Sequence, residues 1–289
     1  MAQTYKYVGS RVRASPLTRL DTLPSANGGV ARLVFAQLRN SGIEPAPLLL
    51  KAGLTAEQIK DSSARLSVRS MIRFMELGAE ALHDDSLGFH LASDYDLREI
   101  GLLYYVMASS ETLGDALTRA ERYGGIVNEG VCLRFGGMRE TSITLTYVGI
   151  ERRSDQQQIK FWLTSLVRLC RQLTDRRLVP SRIRVVHHRD KTPADFRSFL
   201  GCEIEFGAAV DELVFPAAVK LMPLIGADPH LNKLLIKYSE EALAHRKTSV
   251  DTLRSSVENA ISPLLPHGNA HAADVADSKD NPQLERFPG

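Results

Sequence analysis

The sequence has little of what marks several large classes of protein. Its 289 residues hold only three cysteines. Cys132, Cys170 and Cys202 are far apart, odd in number and free of C-x-x-C spacing, which argues against a disulfide framework or a zinc knuckle and fits a reducing cytoplasm. No apolar run approaches the roughly 18 residues of a membrane span. The N-terminal stretch carries Arg11, Arg13 and Arg19 but no apolar block with a small-residue cleavage site, so neither membrane insertion nor export is expected. Net charge is missing too: 36 basic against 34 acidic side chains leave +2, which selects no partner. Phosphate-cradle, dinucleotide and nucleophile-elbow glycine motifs are absent, and the glycines of "YGGIVNEG" and "FGG" read as turns. No cofactor is expected.

What the chain does have is periodicity. Thr55 to Gln58 has capping-box spacing. Ser67 can cap a helix whose positions Val68, Met71, Ile72, Met75, Ala79 and Leu82 keep the 3.6-residue period. Thr112 and Asp115 open another helix. "VCLRFGGMRETSITLTYV" alternates on both sides of a glycine pair, as a hairpin with one buried face does. The apolar stripe from Ile159 to Leu173 sets a long helix from Gln156. "RIRVV", "EIEF" and "ELVFP" read as short strands, with a short helix over Pro193 to Leu200. Asp228-Pro229 starts a further helix, and Val250 to Ile261 a last one, stopped by Pro263 and Pro266. The predicted fold is α+β, mainly helical, with a small antiparallel sheet of about four or five strands flanked by helices. The predicted organisation is a flexible arm over 1–29, a main domain over 30–247, a connecting helix over 248–267 and a polar, patternless tail over 268–289.

Four sets of residues invite a functional reading, each beside a plainer one. His187, His188, Asp190 and Asp195 in "HHRDKTPADF" can supply metal ligands or a general base, but adjacent strand histidines face opposite ways, and a solvated strand end explains them equally. The run Arg168, Arg171, Arg176, Arg177, Arg182, Arg184 and Arg189 can meet an anion or nucleic acid; a helix C-terminus followed by a strand's outer face also accounts for it. Tyr104, Tyr105 and Met107 have the character of a pocket lining or of core. Trp162, the single tryptophan, and Arg168 can line a cleft between the long helix and the sheet. Tyr104, Tyr105, Trp162 and Arg168 are therefore the candidate ligand-pocket residues.

"MIRFMELGAEALHDDSLGFHLA", "DLREIGLLYYVMASSETLGDALTRAERY", "FRSFLGCEIEFGAAVDELVFPAAV" and "PLIGADPHLNKLLIKYSEEAL" together resemble the N-terminal domain of AraC-type transcription regulators with an arabinose-binding-like domain. The resemblance runs in order from about Val30 to His267. It implies a cytoplasmic regulator whose N-terminal domain binds a small-molecule effector or dimerises, and whose C-terminal domain reads DNA through two helix-turn-helix motifs. In such proteins a segment like "ISPLLPHGNAHAADVA" leads into the first of these motifs. After Asp277 the apolar period stops, while a helix-turn-helix needs roughly 20 residues. The expectation is a regulator with a truncated helix-turn-helix domain, a homodimer or a mixed dimer with a full-length relative, without operator binding of its own. DNA would be a partner only in intact members. The rival is a metal-dependent enzyme using His187, His188 and Asp190.

Overall fold

A computed structural model describes residues 24–261, except residue 153 and residues 189–192; from residue 246 onward it describes the helical backbone alone. The N-terminal arm up to residue 23, Asp190 and the tail 268–289 lie outside the described residues. Residues Pro24–Arg246 form one compact unit.

Strand β1 (Ser25–Asn27) comes first, then α1 (Gly29–Asn40), α2 (Ala46–Ala52), α3 (Ala56–Lys60) and β2 (Arg65–Ser67). Helices α4 (Val68–Leu82), α5 (Leu87–Asp94), α6 (Leu102–Ala108) and α7 (Leu113–Val127) follow, with a 3-10 turn at Leu97–Ile100. The hairpin β3 (Val131–Gly136) and β4 (Glu140–Tyr147) leads to α8 (Gln156–Thr174), β5 (Arg182–Val185), α9 (Ala194–Leu200), β6 (Ile204–Phe206) and β7 (Asp211–Pro216). A second 3-10 turn at Ala217–Leu221 precedes α10 (Pro229–Ile261). The fold is α+β, as expected.

The helix starts follow from capping chemistry. Thr55 and Gln58 form a reciprocal capping box on α3, and Thr112 and Asp115 form another on α7. The Ser67 hydroxyl accepts from Ser70 N at the start of α4. The described structure starts before Val30: β1 pairs with β2, and the Arg65 guanidinium donates to Ser25 O at 2.7 Å and Ser25 Oγ at 2.8 Å. One helical segment, α10, stands where two successive helices are expected.

The larger sheet has the order β3-β4-β7-β5-β6. The expected hairpin forms, with Leu133 opposite Leu145 and Phe135 opposite Ile143. One pair departs from the all-antiparallel expectation: β5 and β6 are parallel. Helix α9 lies between them in sequence, and such a crossover returns the chain to the same end of the sheet. The outer face of β5 carries the alternating arginines, Arg182 on Glu140 at 2.9 Å and Arg184 on Glu205 at 3.2 Å.

Helix α8 runs through the core. Ile159, Leu163, Val167 and Cys170 are fully buried, as their spacing demands. Its first turns also bury Gln157, Gln158 and Lys160, which no apolar pattern announces. Gln157 accepts from Gly88 N at 3.0 Å and donates to Asp85 O at 3.1 Å, so the polar start of α8 satisfies the backbone at the start of α5.

Candidate functional site

The wall of the candidate site is a stripe of α4. Arg69, Ile72, Arg73, Glu76, Leu77 and Glu80 recur at helical spacing and face the end of β4 and the turn into α8, which contribute Tyr147, Ile150, Glu151, Arg152, Ser154 and Asp155. Together they enclose a cavity of about 260 Å³. Three arginines and four carboxylates line it, with Ile72, Leu77 and Ile150 as the apolar part.

The floor is a buried charge network. Asp211 and Asp155 are almost wholly buried. Arg152 lies between them, hydrogen-bonded to Asp211 and 3.0 Å from Asp155 Oδ2. Asp211 also accepts from Val186 N at 3.0 Å. Burial pushes the Asp155 carboxyl above its ordinary range, a rise that the Arg152 charge only partly offsets. Above Arg152 lies the Tyr147 ring, its centroid 5.8 Å from the guanidinium carbon. The buried Tyr147 hydroxyl has Asp155 as its neighbouring acceptor, though no hydrogen bond of normal geometry forms among the described residues, and burial, then the Asp155 charge, hold it well above the usual phenol range.

Glu76, half-buried, is a third carboxyl of the site. It accepts from Gln157 N at 2.7 Å, supplying from another helix the acceptor that the start of α8 lacks, since Asp155 makes no side-chain capping bond there. Burial pushes its pKa up; the Gln157 amide pulls it back in part, and Asp155 adds to the rise. A carboxyl with a raised folded pKa adds stability that is complete below its unfolded pKa and lost as pH rises through the folded value. Glu76→Gln keeps an acceptor for Gln157 N and removes the buried charge. The variant is expected to melt at or above the wild-type temperature at pH 7.5, with that advantage shrinking toward pH 4. Melting curves across this range test it; a Gln variant that loses most stability at high pH contradicts it.

The sequence-predicted residues lie elsewhere. Tyr104 is buried, its hydroxyl accepts from Gln172 Nε2 at 2.8 Å, and Tyr105 stands half-exposed, edge-on against it. Trp162 packs partly buried against the core. Arg168 donates to Ala92 O and, at 2.8 Å, to Tyr95 O, so it closes the C-terminus of α5. Arg171 does the same for α9, reaching Phe199 O at 3.0 Å with its guanidinium over the Phe199 ring. Neither is a solvated charge, although both line a shallow concavity with Gln172, Asp175, Arg176 and Arg177. None of the four predicted residues lines the α4 cavity.

Of the histidine and aspartate set, the His187 ring packs against Phe206, and the exposed His188 ring lies over Gly207. Asp195 meets His90 Nε2 at 3.1 Å while Asp84 meets Nδ1 at 2.8 Å, an arrangement that ties α9 to α5. Among the described residues no group of three or more His, Cys, Asp or Glu is placed to hold a metal ion. No described helix is long and apolar enough to cross a membrane.

The signal for the α4 cavity was present in the sequence as charged residues on the outward side of an amphipathic helix. Nothing local distinguishes such positions from a solvated face; the β4–α8 turn that closes over them is about 70 residues away, a contact invisible to periodicity.

Helix α10 adjoins the same unit. Asn232 Nδ2 donates to Val106 O at 2.8 Å and Ser109 Oγ at 3.0 Å. Glu240 accepts from Arg122 at 2.9 Å and from the Tyr123 hydroxyl at 2.6 Å, bonds that bring its carboxyl down to about 2. Leu231, Leu234 and Tyr238, at i, i+3 and i+7 on this helix, remain exposed.

Known proteins similar to this chain are found by family, by sequence and by structure. The family model described as the arabinose-binding domain of AraC transcription regulators, N-terminal, matches residues 42–224. The HTH-type transcriptional regulator VirS of Mycobacterium tuberculosis is 23% identical over 246 residues, covering 84% of this chain and 72% of VirS. The crystal structure of the transcriptional regulator CdpR from Pseudomonas aeruginosa shares the fold at a TM-score of 0.53 and 14% identity, over 85% of this chain and 74% of CdpR. The family match spans more than half of the sequence, and the chain belongs to the AraC-type transcription regulators that carry an arabinose-binding-type N-terminal domain.

Proposed function

We propose that residues 24–246 are the effector-sensing and dimerisation part of a cytoplasmic AraC-type regulator, acting by binding rather than by catalysis. The observation that carries this reading is the junction with α10. The cavity-bearing unit grips this helix through Asn232 and Glu240, while Leu231, Leu234 and Tyr238 present an apolar stripe outward. Exposed leucines at i and i+3 with an aromatic at i+7 are the composition of a helix seam, and contiguous apolar surface of this kind marks an association site. Leu221 and Ile225, also exposed, lie just before the helix in sequence. A ligand that binds one arrangement of the unit better than another would thereby bias how two copies, or a copy and a full-length relative, pair.

Leu234→Glu tests the pairing half of this reading. Light scattering is expected to give the mass of two chains for the wild type and of one for the variant at the same concentration, with the circular-dichroism melt within about 0.5 kcal/mol of wild type because the site is exposed. A wild-type monomer at tens of micromolar, or a variant that still pairs, contradicts it.

A further inference from the structure

The α4 cavity has a polarity that selects among ligand classes. Along its α4 wall the charges are ordered: Arg69 and Arg73 come first, Glu76 and Glu80 later, with Ile72 and Leu77 between and beside them. Seven residues of helix separate Arg69 from Glu76, an axial distance of about 10 Å. At the cationic end Arg73 is tied to Lys51 O at 2.7 Å, whereas Arg69 is exposed and makes no hydrogen bond or ion pair among the described residues. Glu76 accepts one hydrogen bond, from Gln157 N, and the Lys160 charge offsets its burial only in part. The buried Tyr147 hydroxyl, beside Asp155, makes no hydrogen bond of normal geometry among the described residues, and the Arg152 charge is already taken by Asp155 and Asp211.

Polar groups matched only in part cost stability, and here they are the Glu76 carboxylate and the Tyr147 hydroxyl, which line the same cavity. An ammonium group satisfies both. A carboxylate reaching the other end meets Arg69, and an aliphatic stem between the two covers Ile72, Leu77 and Ile150. A neutral sugar would bring no charge to complete the compensation that Lys160 supplies only in part.

We infer that this cavity is the effector site and takes an aliphatic zwitterion of the amino-acid class, its ammonium against Glu76 and the Tyr147 hydroxyl and its carboxylate against Arg69. The assignment rests on the effector-domain reading and narrows it to a site and a ligand chemistry. Raised carboxyl pKa values at Glu76 and Asp155 agree with an acidic end made for a cation.

Calorimetric titration of the full chain with the series from 3-aminopropanoate to 6-aminohexanoate tests it, with hexanoate, hexylamine and arabinose as comparison probes. At least one member of the series is expected to bind, tenfold or more tighter than any comparison probe. Arg69→Gln removes a side chain with no internal bond, so the fold is left intact; it should weaken the zwitterion at least tenfold and leave hexylamine unchanged. Glu76→Gln should weaken both. The inference is overturned if no member of the series binds, if a singly charged probe or arabinose binds as well, or if Arg69→Gln binds the zwitterion normally. A compound of another class that stabilises the wild type and both variants alike would overturn this assignment while leaving the effector-domain reading standing.

Discussion

Replacing Arg152 by leucine is expected to destabilise the protein by about 3 kcal/mol, because it removes the cation from two buried carboxylates at once. Asp155 and Asp211 are 3% and 1% exposed. With the guanidinium gone, neither has another cation in the network that binds it, and Asp211 keeps only the Val186 amide. A loss of this size lowers the melting temperature of a domain of about 220 residues by roughly 6–12 °C. The mechanism predicts its own rescue. Adding Asp211→Asn preserves an acceptor for Val186 N and deletes one stranded charge, so the double variant should recover more than half of the loss. Acid should rescue too, since the stranded carboxylates can protonate, and the gap between wild type and Arg152→Leu should narrow toward pH 4. A single variant within 1 kcal/mol of wild type at pH 7.5, by urea or thermal unfolding, would show that the ion network contributes little.

The second large effect is steric. Gly88 lies where α5 crosses the start of α8, and an added Cβ would meet the Gln157 carbonyl carbon at 2.8 Å and Phe161 N at 3.0 Å, with the Gln157 carbonyl oxygen closer still. These are backbone atoms and cannot swing aside. Gly88→Ala must push the two helices apart, breaking the bond from Gly88 N to Gln157 and loosening the Asp85 contacts of Gln157 and Lys160. Overpacking of a backbone contact is expected to cost about 3 kcal/mol or more. Gly124→Ala is the control. That glycine has open space at its Cβ and lies within α7, where alanine is the better helix former, so it should be neutral or stabilising by up to about 1 kcal/mol. Equal stability of the two alanine variants in chemical denaturation would refute the close-approach account.

These two sites show why part of the molecule was legible in its sequence and part was not. Helices α4, α7 and α8 declare themselves through an apolar stripe and a capping residue, both local, and the β3–β4 hairpin through alternation around Gly136-Gly137. Gly88 gives no such signal: in "DDSLGFHLA" it reads as one glycine in a short run, and α5 is only eight residues long. Its role exists only where α8 touches it. Arg168 and Arg171 are a similar case. A helix's last turns favour cations by the macrodipole alone, so their basic character fits a bland reading, while the carbonyls they close belong to α5 and α9. The parallel β5–β6 pair follows from the topology of α9, which strand patterns do not encode.

The cavity was illegible for a related reason. Tyr147 reads as the last inward residue of a strand, and Glu76 as an outward charge on a helix. Only the fold brings both to one cavity, where the hydroxyl is buried beside Asp155 and the carboxylate is compensated in part by Lys160. Aromatic and basic residues such as Tyr104, Tyr105, Trp162 and Arg168 have the character of pocket candidates in the sequence. In the fold Tyr104 bonds to Gln172 and Arg168 to the α5 carbonyls, so their polar groups are already engaged.

The central claim is that this unit is a small-molecule sensor, and thermal melting of the wild-type chain against a library of sugars, amino acids, amines and organic acids tests it most directly. A ligand present at 100 times its dissociation constant adds about 2.7 kcal/mol to the folded state, which corresponds to a rise of roughly 5–10 °C for a domain of this size. The account predicts at least one compound with a saturable rise of that order. A chain that melts cooperatively and is moved by no compound at millimolar concentration would contradict it.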